Sequence, residues 1–200
     1  MKIWFATNNI HKKKELEAIL QRRLYMPSEA DIPFCPEETG TTFRENALIK
    51  AHELKKLINV NDDLVIADDS GLCADALDGR PGVFSARYGE TEGKNLTSMQ
   101  KNFLLLDELQ DKPERNAHFV CAMVLLFSNE RFIIVQETIE GEIVKNRNLM
   151  RTGGGFGYDP VFYIPSYGRT LAELSEEEKN MISHRGKAGK AISKILDTEL

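Results

Sequence analysis

The densest set of chemistry-bearing side chains is Asp68-Asp69-Ser70, directly after the apolar run Leu64-Val65-Ile66-Ala67. Two adjacent carboxylates at the end of a buried run are costly unless a cation or hydrogen-bond donors compensate them. A hard divalent cation such as magnesium does so economically, because it prefers carboxylate oxygen and keeps part of its water shell. A plain polar turn before Gly71 would need no such apolar lead-in. Glu37 and Glu38, ahead of Thr39-Gly40, can supply a further ligand, although an isolated acidic pair is more often surface charge. Thr7, Asn8, Asn9 and Lys12 gather a hydroxyl, two amides and an ammonium where a helix begins, which suits a phosphate group. The stretch lacks the glycines and the GK[ST] ending of a Walker loop. Read alone, it is a polar turn with Asn9 as N-cap and Lys12 to Lys14 as solvated charge.

Two further clusters lie toward the C-terminus. Phe156-Gly157-Tyr158-Asp159-Pro160 follows three glycines, which let backbone close on a ligand. Phe156 can stack on a planar base or pack into the core. Ser183-His184-Arg185-Gly186-Lys187 is the densest basic spot, with Lys179 and Lys190 nearby. An arginine fork and a histidine can read a carbonyl or a phosphate; a helix start with basic neighbours is the ordinary alternative. Arg87 and Tyr88 carry less signal.

The elements that must position these groups follow from periodicity. Ile3 to Ala6 reads as a buried strand, and Lys12 to Arg22, with Leu16, Ile19 and Leu20, as a helix. Residues 26–41 read as a long loop. Thr42 and Glu45 form a capping box that opens a helix carrying Phe43, Ala47, Leu48, Ala51, Leu54 and Leu57. Leu64 to Ala67 is a strand that ends on Asp68. Residues 78–95 are glycine-rich and loop-like, and Leu96 to Leu109 is helical. Ala117–Phe127 and Arg131–Ile139 form a hairpin, and Glu140-Gly141-Glu142 starts another pairing. Val161 to Ile164 is a short strand. Ser175 with Glu178 caps a helix that breaks near Ser183 and continues toward Leu196. Strand–helix units mixed with a hairpin predict an α/β fold with a mixed sheet.

The 200 residues fit one domain. A net charge of -5, with 42% hydrophobic and 28% charged residues, is ordinary for a globular protein and argues against bulk nucleic-acid binding. Cys35, Cys73 and Cys121 form no CxxC pair, which argues against a zinc site or disulfide framework and points to a reducing compartment, expected to be the cytoplasm. The N-terminal apolar run is too short for a signal peptide, and no stretch approaches the about 20 apolar residues of a membrane helix.

Taken jointly and in order, these motifs resemble the inosine/xanthosine triphosphate pyrophosphatase family, the Ham1-like enzymes. The matching stretches are Thr7-Asn8-Asn9-Ile10-His11-Lys12, Glu37-Glu38-Thr39-Gly40, Phe43 to Ala51, and Ala67-Asp68-Asp69-Ser70-Gly71-Leu72. They continue with Pro81 to Tyr88, Gly155 to Pro160, and Glu178-Lys179-Asn180 leading to Ser183 to Ala188. Asn8 departs from the glycine that many relatives carry. The resemblance implies an elongated mixed sheet flanked by helices, in two lobes with the substrate in a cleft between them. It also implies a homodimer and magnesium dependence. Thr7, Asn8, Asn9, Ile10, His11 and Lys12 would hold the triphosphate. Glu37 and Asp69 would serve the metal, with Asp68 as a further candidate and Asp69 also the base. Ser70 would touch the substrate, and Phe156, Gly157, Tyr158, Asp159, Lys179, His184 and Arg185 would hold the purine. The expected reaction cuts ITP, dITP or XTP to the monophosphate and pyrophosphate, with Asp68 and Asp69 sharing a proton. A magnesium-dependent phosphatase and a non-catalytic nucleotide sensor are the competing readings.

Overall fold

Continuous apolar strands belong where both faces of a sheet are covered, and the first strands fit that rule. The computed structural model describes residues 1–58, 62–92 and 94–199; Gly93, within the stretch expected to be loop, lies outside them. Strand β1 (Ile3–Phe5) pairs in parallel with β2 (Leu64–Ala74), setting Ile3 beside Leu64 and Phe5 beside Ile66. Side chains alternate between faces along a strand. Ile3, Phe5, Leu64 and Ile66 pack with Leu16 and Leu20 of α1 (Ile10–Leu20) and with Ala188, Ile192 and Leu196 of α5 (His184–Glu199). Trp4, Ala6, Val65 and Ala67 pack instead with Ala47, Ala51 and Leu54 of α2 (Phe43–Ile58).

The remaining elements are α3 (Ser98–Glu108), β3 (Asn116–Leu126), β4 (Phe132–Ile143), β5 (Phe162–Ile164), β6 (Arg169–Thr170) and α4 (Glu176–Ile182). The six strands lie in the order β1-β2-β3-β4-β5-β6, with β4/β5 and β5/β6 antiparallel, so the sheet is mixed as expected. The chain divides into two compact units. One holds Met1–Ser70, Cys121–Glu137 and Ser183–Leu200; the other holds Gly71–Val120 and Thr138–Ile182. The second unit has its own core, in which Leu105, Leu106 and Leu109 meet Leu72, Phe119, Ile139, Ile143, Phe162 and Leu171. No described helix is long and apolar enough to cross a membrane.

Local signals place most boundaries. Glu45 accepts from the Thr42 N–H at 3.0 Å and Thr42 Oγ1 from the Glu45 N–H at 3.2 Å, the expected capping box. Ser175 and Glu178 repeat it at α4. The break at Ser183 is a new helix start, since Ser183 Oγ accepts from the Gly186 N–H at 3.0 Å. One expectation is corrected. Strand β2 does not end at Asp68 but runs on to Ala74, so both aspartates lie inside it. The pairing expected at Glu140-Gly141-Glu142 is present: these residues continue β4, whose end pairs with β5 through Glu142 and Tyr163. Gly141 is required there: a Cβ would stand 2.6 Å from the Phe162 ring and from the Tyr163 carbonyl oxygen. Gly141→Ala is therefore expected to lower stability by about 1–3 kcal/mol through overpacking. Urea unfolding checks this, and an unchanged midpoint would contradict it.

Candidate active site

The alternation that separates the two apolar layers also separates the aspartates. Asp68 and Ser70 face the α1/α5 layer, while Asp69 faces α2. Asp68 is buried, and Lys12 Nζ donates to its Oδ1 at 3.1 Å. Arg185 donates to its Oδ2 from Nε at 3.2 Å and from Nη2 at 3.1 Å. Burial alone would raise the Asp68 carboxyl, but Lys12 and Arg185 outweigh it and hold the group well below the usual carboxylate range. Burial lowers Lys12, against the pull of Asp68. Burial also pushes the neighbouring Cys121 thiol up to about 12, with help from the Asp68 charge, so Cys121 is no nucleophile.

Asp69 is served from α2. Lys50 Nζ donates to Oδ1 at 2.8 Å and Asn46 Nδ2 to Oδ2 at 3.3 Å. Residues four apart share a helix face, which is why Asn46 and Lys50 reach one carboxylate. Asn46 Oδ1 also accepts from the Gly40 N–H at 2.8 Å. Lys50 donates to Glu38 Oε1 at 3.0 Å, so one ammonium bridges two carboxylates. Desolvation, opposed by Lys50, leaves the Asp69 carboxyl raised. These α2 side chains were matched in sequence but given no role. Their signal was a polar pair four residues apart on an otherwise apolar helix face.

At the start of α1, Asn9 is spent as N-cap, its side chain accepting from the His11 and Lys12 N–H groups. Thr7 Oγ1 accepts from the Asn9 N–H at 3.1 Å, and Asn8 Nδ2 donates to the Phe34 carbonyl at 2.9 Å. Ile10 and His11 are exposed, and Thr7 is buried. The polar turn and the helix N-terminus are thus present together, and Lys12 leans from them onto Asp68.

Glu37 is exposed, with no side-chain hydrogen bond or ion pair among the described residues; its neighbour Glu38 is the one turned toward Lys50. Asp68 has both oxygens occupied by cations. The two aspartates also point to opposite faces, so the expected shared proton is excluded. Arg185 is buried, holding Asp68, Glu15 through Nη1 at 2.7 Å and Ser70 Oγ through Nη2 at 2.8 Å. Its partners are thus two carboxylates and a hydroxyl. His184, beside it, is also buried. Among the described residues no group of three His, Cys, Asp or Glu side chains is arranged to hold a metal ion.

The second unit holds the aromatic loop. Gly155 and Gly157 have φ of 68° and 63°, values that suit glycine, and a side chain at Gly155 would run into the Asp159 carboxylate. Asp159 Oδ2 accepts from the Phe156 N–H at 2.8 Å and from Lys179 Nζ at 2.7 Å. Lys179 Nζ lies 4.7 Å from the Phe156 ring centroid, in cation–π range. Tyr158 is buried, and its hydroxyl donates to the Ser85 carbonyl at 2.9 Å. Burial pushes that phenol well up. Tyr158 and Asp159 therefore brace the loop from inside, while Phe156 and Gly157 are half-buried. An open cavity of about 730 Å³, lined partly by Arg151, Gly154, Arg169, Glu173 and Glu178, also lies in this unit. Its guanidinium groups are matched by Glu173 and Glu178, so it offers little to an anion.

The Ham1 family model matches residues 3–195. A dITP/XTP pyrophosphatase of Treponema denticola is 45% identical over 197 residues, 98% of each chain. One from Halalkalibacterium halodurans is 46% identical over 203 residues, 98% of this chain and all of that one. The solved Ham1 proteins of Staphylococcus aureus and Coxiella burnetii superpose with TM-scores of 0.84 and 0.86 at 35% and 40% identity, each pair covered completely. The chain belongs to the Ham1 family.

The two aspartates differ in what they support, and stability measures it. Asp68→Asn would leave Lys12 and Arg185 buried without their counter-charge, an expected loss of about 3–5 kcal/mol. Asp69→Asn removes a carboxylate whose one hydrogen-bonded cation, Lys50, keeps Glu38, and the Asn oxygen can still accept from Lys50, so it should lose less than about 1.5 kcal/mol. Urea unfolding of both variants compares them; equal losses would contradict the division.

Proposed function

We propose that the protein hydrolyses non-standard purine nucleoside triphosphates (ITP, dITP and XTP) to the monophosphate and pyrophosphate. The observation that carries this reading is Asp69: a buried carboxylate with a raised proton affinity, held by Asn46 and Lys50 beside Glu38. Family membership supplies the substrate class, since the relatives are named dITP/XTP pyrophosphatases.

Magnesium fits the residues present. Asp69 and Glu38 are hard oxygen donors brought together on Lys50. Magnesium takes one or two carboxylates together with substrate phosphates. Asp69 and Glu38, in place of Glu37, would hold it. When bound, it would offset the charge that builds on the phosphates during in-line attack. Asp69 orients the attacking water and takes its proton. Lys12 and the positive end of α1 receive the triphosphate, and Lys50 fixes the Asp69 carboxylate. The leaving group is pyrophosphate.

Base selection falls to the second unit. Phe156 offers a stacking face, and Lys179 sets an ammonium beneath it. A donor suits the six-carbonyl of hypoxanthine or xanthine and opposes the six-amino group of adenine. Sites built to hydrogen-bond one such group reject the other by factors of up to about 10⁴. Lys179, against the Phe156 ring, and Arg185 are both cationic donors held by carboxylates, Lys179 by Asp159 and Arg185 by Asp68 and Glu15. A homodimer and a cytoplasmic location belong to the same reading and rest on the family resemblance.

The test is to incubate the protein with ITP, XTP, GTP and ATP plus magnesium, measuring pyrophosphate and orthophosphate separately. Pyrophosphate from ITP and XTP is expected, with ATP largely spared; orthophosphate as the product would indicate a phosphatase. Asp69→Asn should lower turnover by at least about 10²-fold, the lower end of what a positioned general base contributes. Near-normal turnover by that variant would remove Asp69 from the chemistry.

A further inference from the structure

We propose that Asn102, on α3, is a positioning residue for base selection: it pins the Gly157 carbonyl so that the following amide, the Tyr158 N–H, is displayed to the purine's six-carbonyl. This rests on the reading of the Phe156 loop as the base site. Asn102 is only 1% exposed, and its Nδ2 donates to the Gly157 carbonyl at 3.1 Å. Its Oδ1 is buried with no hydrogen-bond partner among the described residues. A buried acceptor left unpaired is unfavourable, and the helix around it packs Leu105, Leu106 and Leu109 into the core. An apolar residue would suit that position better on packing grounds alone. What asparagine adds is the donor to Gly157.

That donor has a task, because glycine tolerates more than one peptide orientation. Gly157 sits at φ 63°, and without a restraint the peptide joining it to Tyr158 can turn over at small cost. In a planar trans peptide the C=O and N–H point in opposite directions. Holding the Gly157 carbonyl on Asn102 therefore turns the Tyr158 N–H to the other side. The rest of the loop is already closed: Phe156 N–H donates to Asp159 Oδ2, and Asp159 N–H to the Phe156 carbonyl at 3.2 Å. No acceptor among the described residues takes the N–H of Gly157 or Tyr158. A reversed peptide would offer a carbonyl in that place, which favours adenine's amino group. Asn102 thus acts through the loop and not by touching the nucleotide.

The experiment compares Asn102→Ala, Asn102→Asp and Phe156→Ala with the unsubstituted protein, using ITP and ATP with magnesium. Both Asn102 variants should lower kcat/KM for ITP about tenfold through KM, hold kcat within about twofold, and lower the ITP/ATP preference about tenfold. Phe156→Ala should raise KM for ITP as well. If Phe156→Ala weakens ITP while both Asn102 variants keep the full ITP/ATP ratio, Asn102 has no such role and the base loop stands. If Phe156→Ala leaves KM unchanged, the base-site reading itself fails and the Asn102 proposal goes with it. A measurement on the unsubstituted protein decides the matter if neither Asn102 variant folds. The Tyr158 amide resonance should move on titration with inosine monophosphate and not with adenosine monophosphate; no movement, or equal movement with both, overturns the proposal.

Discussion

A β-strand turns successive side chains to opposite faces, and β2 carries two buried carboxylates one residue apart. Lys12 and Lys50 act electrostatically on both, but each carboxylate has its own hydrogen-bonded cations. Asp68 has two cations in contact, Lys12 and Arg185. At an effective dielectric of about 20 each such contact contributes roughly 4 kcal/mol, against a desolvation penalty of several kcal/mol per ion. Two contacts outweigh the penalty and the group stays anionic; one contact, at Asp69, does not fully offset it. Asp68 becomes a fixed anchor that sets Lys12 and Arg185, and through Arg185 also Ser70. Asp69 remains the group with an unmet need for positive charge.

That division organises the first unit. The helix N-terminus with Thr7, Asn8 and Asn9 positions Lys12, α5 brings Arg185 from the far end of the chain, and α2 delivers Asn46 and Lys50 to Asp69. The second unit works by backbone rather than by charge. Two glycines at positive φ fold the Phe156 loop around the Asp159 carboxylate, and Lys179 neutralises that carboxylate while lying against the Phe156 ring. The carboxylates of the two units are thus stabilised by different means.

What could be read in the chain beforehand was what depends on neighbours in sequence. The Thr42/Glu45 and Ser175/Glu178 boxes, the apolar runs of β1 and β2 and the helical spacing of α1 to α3 are local, and they emerged where expected. The end of β2 was misread because Asp68-Asp69-Ser70-Gly71 has the composition of a turn. It stays extended because its charges are met by Lys12 and Arg185, 56 and 117 residues away, which no local pattern discloses. Glu37 and Glu38 cannot be told apart by type, and only the direction of the loop toward Lys50 separates them. The family resemblance assigns Arg185 to the purine, and its partners in the fold come from α1 and β2, which no local pattern discloses. Asn46 and Lys50 were recoverable, since a polar pair at helical spacing on a buried face needs a reason.

The most direct test is a crystal grown with manganese in place of magnesium and a non-hydrolysable ITP analogue, with the ion located by its anomalous signal. The ion is predicted beside Asp69 and Glu38, with Asp68 still held by Arg185. An ion bound to Asp68, or one remote from both aspartates, would contradict the division of labour on β2.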